Sequence, residues 1–206
     1  MLAKWLVPHI TSRLNTFASL TGPAFGRPLN SDVVRNKESV KIRAEEERDW
    51  PAVYSLNESS FGTVSEADLV DLLRAQVSQV ISLVAEVNQE VVGHIMFTPV
   101  SLSGFPAASI MGLAPMAVSS KKRNRGIGSA LVRKGMEECR NLNIGAVVVL
   151  GHSGYYPRFG FKRASLFGIH CEYDVPEDVF MAVEVEPSYL SEKYGIVKYH
   201  ELFEGV

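Results

Sequence analysis

The run Arg123-Asn124-Arg125-Gly126-Ile127-Gly128 combines two glycines with flanking cations and opens directly into the apolar stripe of a helix. Glycine at a helix mouth lets backbone N–H groups approach a ligand with no Cβ in the way. Those unpaired N–H groups also lie at the positive end of the helix dipole, so anions bind there. Lys121 and Lys122 extend the positive charge upstream, either toward a ligand or as a solvated basic turn. Two common phosphate loops fail on spacing. A P-loop needs a Lys-Ser or Lys-Thr pair directly after its second glycine, and here Gly128 is followed by Ser129-Ala130. A dinucleotide fingerprint needs a third glycine where Leu131 stands and an acid about 20 residues on, where this chain has Gly151-His152.

The elements that must position this loop can be read from periodicity. Val40-Lys41-Ile42-Arg43 alternates as a half-buried strand does, and the acidic run Glu45 to Asp49 suits the first turn of a helix that runs through Val53 and Leu56. Ser65 and Asp68, just ahead of Leu69, Leu72 and Leu73, open a second helix. Val80 to Val87 and Val91 to Leu102 are rich in β-branched residues and flank the turn-prone Asn88-Gln89-Glu90, which predicts an antiparallel hairpin. Ser109 to Val118 is another strand, but Gly112 and Pro115 interrupt it, which predicts a bulge or a splayed edge. After the basic loop Ser119 to Arg125, apolar residues at Ile127, Ala130, Leu131, Cys139 and Leu142 mark an amphipathic helix, stopped by Asn143 and Gly145. Ala146 to Leu150 is continuously apolar, as a central strand covered on both faces requires. Strand, glycine loop, helix and strand thus form one right-handed βαβ unit. Phe180 to Val185 and Ile196 to Tyr199 supply late strands, and the architecture is α/β with a mixed sheet.

Arg123 to Gly128 resembles the pyrophosphate loop of the GNAT N-acetyltransferase superfamily, which reads Arg or Gln, two free positions, Gly, one free position, then Gly or Ala. A second signature of that family, Tyr156-Pro157-Arg158-Phe159-Gly160-Phe161, follows the next strand. The join from Leu150 to Tyr156 and the strand Phe180 to Val183 look most like the bacterial YhbS-like branch. The likeness covers about Val40 to Val185 in layout and is specific over Met116 to Phe161.

The resemblance implies a mixed, mostly antiparallel sheet with a splayed central strand and flanking helices. It implies acetyl-CoA as co-substrate, with no metal, and transfer of the acetyl group to a primary amine of a small molecule or protein. The alternative is a catalytically silent acyl-CoA-binding module that acts through protein contacts. By resemblance, the backbone of Met116, Ala117 and Val118 pairs with the pantetheine arm as an added strand, with an N–H near Met116 or Ala117 for the oxyanion. Arg123, Asn124, Arg125, Gly126, Ile127, Gly128 and Ser129 hold the pyrophosphate. Tyr156 resembles the family's general acid, and its reference pKa near 10 lets it donate to a leaving thiolate of about 8.5. Its other reading is a core tyrosine beneath Phe159 and Phe161, and the adjacent Tyr155 leaves an exchange of roles open. Arg158 to Phe161 read as structural. No general base declares itself: His152 either relays a proton or satisfies its own hydrogen bonds, and base-free catalysis through ordered water is the other route. Glu58, Glu66 and Asp68, in the helical region that lines the acceptor side by resemblance, either attract a cationic amine or, for at least two of the three, are solvated surface carboxylates. Acceptor specificity is expected from Trp50 to Gln79 and Leu166 to Asp178. Family likeness is also compatible with a homodimer.

The whole chain narrows the alternatives. Its 206 residues and 46% apolar composition suit one domain with a full core. A net charge of -2 gives no general pull on nucleic acid. Cys139 and Cys171 stand in unlike contexts and read as reduced thiols without zinc, pointing to a reducing, cytoplasmic setting. No apolar run approaches the roughly 18 residues of a membrane span, so no membrane partner is expected. Residues 1–39 form an N-terminal extension ahead of a domain over 40–206. With Lys4, Arg13 and Arg27, several hydroxyl residues and no acid before Asp32, it resembles a mitochondrial or plastid transit peptide. The other reading is a weakly ordered segment broken by Gly22, Pro23, Gly26 and Pro28.

Overall fold

A computed structural model describes residues 39–205. The extension over residues 1–39, with both of its readings, lies outside the described residues apart from Ser39. The chain runs β1 (Val40–Ala44), α1 (Trp50–Phe61), α2 (Ser65–Gln76), β2 (Ile81–Val87), β3 (Glu90–Leu102), β4 (Ile110–Val118), α3 (Ile127–Asn141) and β5 (Ala146–Leu150). Short strands β6 (Lys162–Arg163) and β7 (Ile169–Cys171) precede β8 (Phe180–Glu184) and β9 (Gly195–Lys198). The main sheet has the order β1-β2-β3-β4-β5-β8-β6, while β9 pairs with β3 and β7. Its β4–β5 pair is parallel and its other pairs are antiparallel. This is the mixed, mostly antiparallel sheet with flanking helices expected from the sequence. The periodic segments fold as read, except that the acidic run ends in a 3-10 turn, Glu47–Asp49, ahead of α1, whose own first turn carries no acid. Strands β6 and β7, of two and three residues, are too short to carry a periodic signal.

Each face of the sheet buries its own core. On one face α3 packs Ile127, Leu131, Val132, Met136 and Cys139 into a cluster with the inward residues of β2 to β5. The spacing of those residues is the 3.6-residue helical period, which is why the stripe predicted the helix. On the other face Val53 of α1 and Leu69, Val70 and Leu73 of α2 join Ala114, Leu150 and the C-terminal Tyr199 and Phe203. Asn88 and Gln89 both adopt positive φ, which gives the β2–β3 hairpin its tight two-residue turn.

The break in β4 fixes the geometry of the site. Between the pairs Ile95↔Met116 and Phe97↔Leu113, β3 contributes Met96 alone while β4 contributes Ala114 and Pro115, a β-bulge. The parallel ladder to β5 covers Ile110↔Ala146 to Gly112↔Val148 and then ends. From Leu113 to Val118, β4 keeps its partner β3 and turns an unpaired edge toward the ends of β5 and α3. The ladder to β5 ends at Gly112, just ahead of this bulge, and a bulged strand bends away from its former course.

A buried polar relay holds α1 and α2 over the sheet. His94 of β3 is wholly buried. The Asn57 amide donates to Val53 O at 2.9 Å and to His94 Nδ1 at 3.2 Å, which makes Nδ1 the accepting nitrogen. His94 Nε2 therefore carries the proton and donates at 3.0 Å to Ser82 Oγ, which donates at 2.6 Å to Glu45. Arg74 of α2 completes the relay, pairing with Glu45 at 2.7 Å. The relay needs a neutral imidazole. Burial, with a smaller contribution from the Arg74 charge, lowers the His94 pKa from 6.5 to about 3. The unfolded chain therefore binds this proton more readily than the folded one. The stability His94 contributes is complete above pH 6.5 and is lost as pH falls toward 3. Its slope is at most about 1.4 kcal/mol per pH unit. The urea midpoint is accordingly expected to fall between about pH 7.5 and about pH 5, and His94→Gln to flatten that fall. An equal fall in the variant would assign the dependence to other groups.

Candidate active site

A cleft of about 910 Å³ opens where β4 and β5 part. Ser119 N–H donates to Val92 O of β3 at 2.9 Å. Strand alternation then aims the N–H and C=O of Ala117 at β3 and those of Met116 and Val118 at the open edge. Of the two N–H groups considered for an oxyanion, that of Met116 thus faces the cleft and that of Ala117 faces β3. Val118 O is already engaged, accepting from Arg123 Nε at 3.1 Å.

The glycine loop closes one end of the cleft. Asn124 at φ 60° and Gly126 at φ 84° reverse the chain, and Gly126 caps α3 in the left-handed region. An ideal Cβ on Gly126 would meet nothing within 4 Å, so the demand for glycine there is conformational. The first helical bond is Ala130 N–H to Gly126 O at 2.9 Å. The N–H groups of Ile127, Gly128 and Ser129 consequently have no partner within the helix and sit at its positive end. Lys122, Arg123 and Asn124 line the same end, while Lys121 and Arg125 are exposed and do not line it.

The loop after β5 supplies the facing wall. Gly154 N–H donates to His152 Nδ1 at 3.1 Å and Tyr155 N–H donates to His152 O at 2.9 Å. His152 lines the cleft while shaping the turn that presents the two tyrosines. The Tyr155 hydroxyl would lie 2.8 Å from a Cβ on Gly128, so it abuts the first turn of α3. The Arg158 guanidinium stacks 4.7 Å from the Tyr155 ring. Tyr156 opens a 3-10 helix, Tyr156–Phe159, that Gly160 ends at φ 92°. Its ring meets Phe161 edge-on at 5.6 Å and Tyr155 at 5.1 Å, and only 7% of the residue is exposed, yet it lines the cleft. Burial raises its pKa well above the ordinary tyrosine value, so the phenol holds its proton at neutral pH. The core-packing and cleft-lining readings of Tyr156 are therefore both true of one residue.

The matching family model, acetyltransferase (GNAT) domain, spans residues 41–164. The chain belongs to the GNAT acetyltransferase family. It is 34% identical over 163 residues to the uncharacterized N-acetyltransferase YhbS of Escherichia coli K12, covering 79% of this chain and 97% of that protein. It is 39% identical over 123 residues to the uncharacterized N-acetyltransferase YjhQ of the same strain, covering 58% of this chain and 68% of that protein. Among solved structures, that of Escherichia coli YhbS with CoA has a TM-score of 0.77 at 31% identity, covering 90% of this chain and 96% of that one. A Brucella melitensis GNAT acetyltransferase with acetyl-CoA has a TM-score of 0.67 at 31% identity, covering 81% and 99%.

The remaining wall of this GNAT cleft comes from α1 and α2. Of the three acids in that region, Glu58 is exposed and Asp68 is exposed while accepting from the Tyr54 hydroxyl at 2.8 Å; Glu66 is 5% exposed and lines the cleft. A signal for it exists in the sequence: Glu66 shares its helical phase with Leu69, Val70 and Leu73, the buried stripe of α2. Among the described residues lining the cleft none comes from Leu166 to Asp178, whereas Phe203, near the C-terminus, does line it. No local pattern marks Phe203, because its place depends on the last turn docking against α2. The packing of Tyr156 leads to a stability prediction. A Cβ on Gly151 would stand 2.3 Å from Tyr156 Cε2. Gly151→Ala must displace that ring and is expected to lower stability by about 1–3 kcal/mol in urea unfolding, whereas an unchanged midpoint would show the ring to be loosely held.

Proposed function

We propose that this GNAT protein transfers the acetyl group of acetyl-CoA to a primary amine of a small molecule or protein. The observation that carries the reading is the unpaired β4 edge meeting the glycine-capped end of α3 in one cleft that also holds Tyr156. The residues present suit the co-substrate. Met116 and Val118 offer strand-like hydrogen bonding to the pantetheine amides, and Val118 O exchanges its Arg123 contact for the ligand. The N–H groups of Ile127, Gly128 and Ser129, with Lys122 and Arg123, take the pyrophosphate. YhbS with CoA and the Brucella melitensis enzyme with acetyl-CoA support that fit.

Acetyl-CoA supplies an activated thioester. The acceptor nitrogen enters as a neutral amine, since an ammonium has no lone pair to attack with. Its C–N bond forms as the C–S bond breaks, and Met116 N–H stabilises the negative charge that develops on the carbonyl oxygen. The departing thiolate takes one proton from Tyr156, and the nitrogen releases one to solvent, which restores the phenol. Burial raises the Tyr156 pKa, which keeps the phenol protonated at neutral pH and also makes it a weaker acid, so its transfer depends on the thiolate forming beside it.

Steady-state assay of Tyr156→Phe is expected to show turnover lowered by roughly 100-fold or more with the acetyl-CoA Kd unchanged. Unchanged turnover would remove Tyr156 from the chemistry, and the same loss in Tyr155→Phe alone would transfer the role to Tyr155. Gly126→Asp combines a left-handed φ with a carboxylate at the anion site, and calorimetry is expected to show acetyl-CoA binding weakened by about tenfold or more. Wild-type affinity in that variant would overturn the placement of the pyrophosphate.

A further inference from the structure

We propose that Glu66 anchors the ammonium group of the acceptor, and that the acceptor is a small primary amine with an apolar body. This inference rests on the acetyltransferase reading and narrows its second substrate. Among the described residues lining the cleft, Glu66 is the sole carboxylate. The cations Lys122 and Arg123 belong to the glycine loop and Arg158 to the segment after β5, whereas Glu66 stands on the α2 wall. The cleft is therefore divided in charge, positive where the phosphates of the donor bind and negative on the helical wall.

Glu66 is built as a binding group. Thr63 Oγ1 donates to its Oε2 at 2.6 Å, which fixes the carboxylate. No described residue hydrogen-bonds to Oε1 or forms an ion pair with Glu66, and Oε1 keeps contact with solvent on a residue that lines the cleft. A carboxylate only 5% exposed and without a counter-charge is costly unless something cationic completes it. A ligand ammonium does so with N–H donors directed at Oε1. The adjoining lining is apolar: Phe61 lies at the end of α1, Leu69 one turn further along α2, and Leu150 and Phe203 pack with Leu69 in the same core cluster. Such walls favour an aliphatic or aromatic body and disfavour a second charge, in particular a carboxylate beside Glu66.

Glu66 holds the ammonium form at entry, and the neutral amine that attacks arises after that proton passes to solvent. The role is thus one of recognition and orientation, and it predicts a change in KM rather than in turnover.

The test uses the full chain with 2-phenylethylamine and its uncharged analogue 2-phenylethanol. By calorimetry, with CoA saturating and again without it, wild-type protein is expected to bind the amine at least about tenfold more tightly than the alcohol. Glu66→Gln is expected to abolish that preference and to raise KM for the amine about tenfold, with turnover and the acetyl-CoA Kd within about twofold of wild type. Equal binding of amine and alcohol by wild-type protein, or no binding of the amine, overturns the proposal however the variant folds. So does a Glu66→Gln protein that keeps the preference. If wild-type protein fails to bind acetyl-CoA, the acetyltransferase reading falls instead, and the amine-over-alcohol comparison without CoA still decides the role of Glu66.

Discussion

A β-bulge bends the strand that carries it, and β4 is bulged at Ala114 and Pro115. That single constraint parts β4 from β5 after three paired residues and leaves a strand edge exposed in the middle of a nine-stranded sheet. Exposed edges are normally covered or charged, because they recruit other strands. Here the edge is retained where an extended ligand with amides of its own can fill it. Because β4 and β5 are parallel, the loops that leave their C-terminal ends emerge side by side. The loop after β4 turns through Asn124 and Gly126 into α3, and the loop after β5 turns through His152 into the tyrosines. The glycine loop and the tyrosines are neighbours because the two parallel strands deliver them to the same end of the sheet.

Packing and chemistry share residues in this cleft. Tyr156 is an element of the core, wedged against Gly151 and Phe161, and the same wedge orients its hydroxyl and keeps it protonated. His152 shapes a turn through Nδ1, which accepts from Gly154 N–H, while its side chain lines the cleft. On the helical side, the relay from Asn57 through His94, Ser82 and Glu45 to Arg74 ties α1 and α2 to the sheet. Arg43 adds to it, bridging Asp49 and Glu86. A wall that carries a buried carboxylate needs such fixed supports, since a charged group in a mobile wall would turn to solvent.

Membership of the GNAT family accounts for the donor side more fully than for the acceptor side. The structures of YhbS with CoA and of the Brucella melitensis enzyme with acetyl-CoA speak to the donor alone. The wall of the cleft facing away from the glycine loop comes from α1, α2 and the C-terminal turn, which carry Phe61, Glu66, Leu69 and Phe203.

The sequence by itself determined the glycine loop, the interrupted strand and the helix and strands around them. These follow from rules acting over a few residues: a positive φ calls for Gly126, glycine and proline mark the irregularity in β4, and a 3.6-residue period declares α3. The tertiary structure decided which of Tyr155 and Tyr156 is wedged in the core and which abuts α3. It also decided that Glu66 faces the cleft while Glu58 and Asp68 face solvent, and that Phe203 returns across the chain to line the same cleft. Those outcomes depend on which surfaces are buried together by segments far apart in the chain, and side-chain type and local spacing hold no record of that.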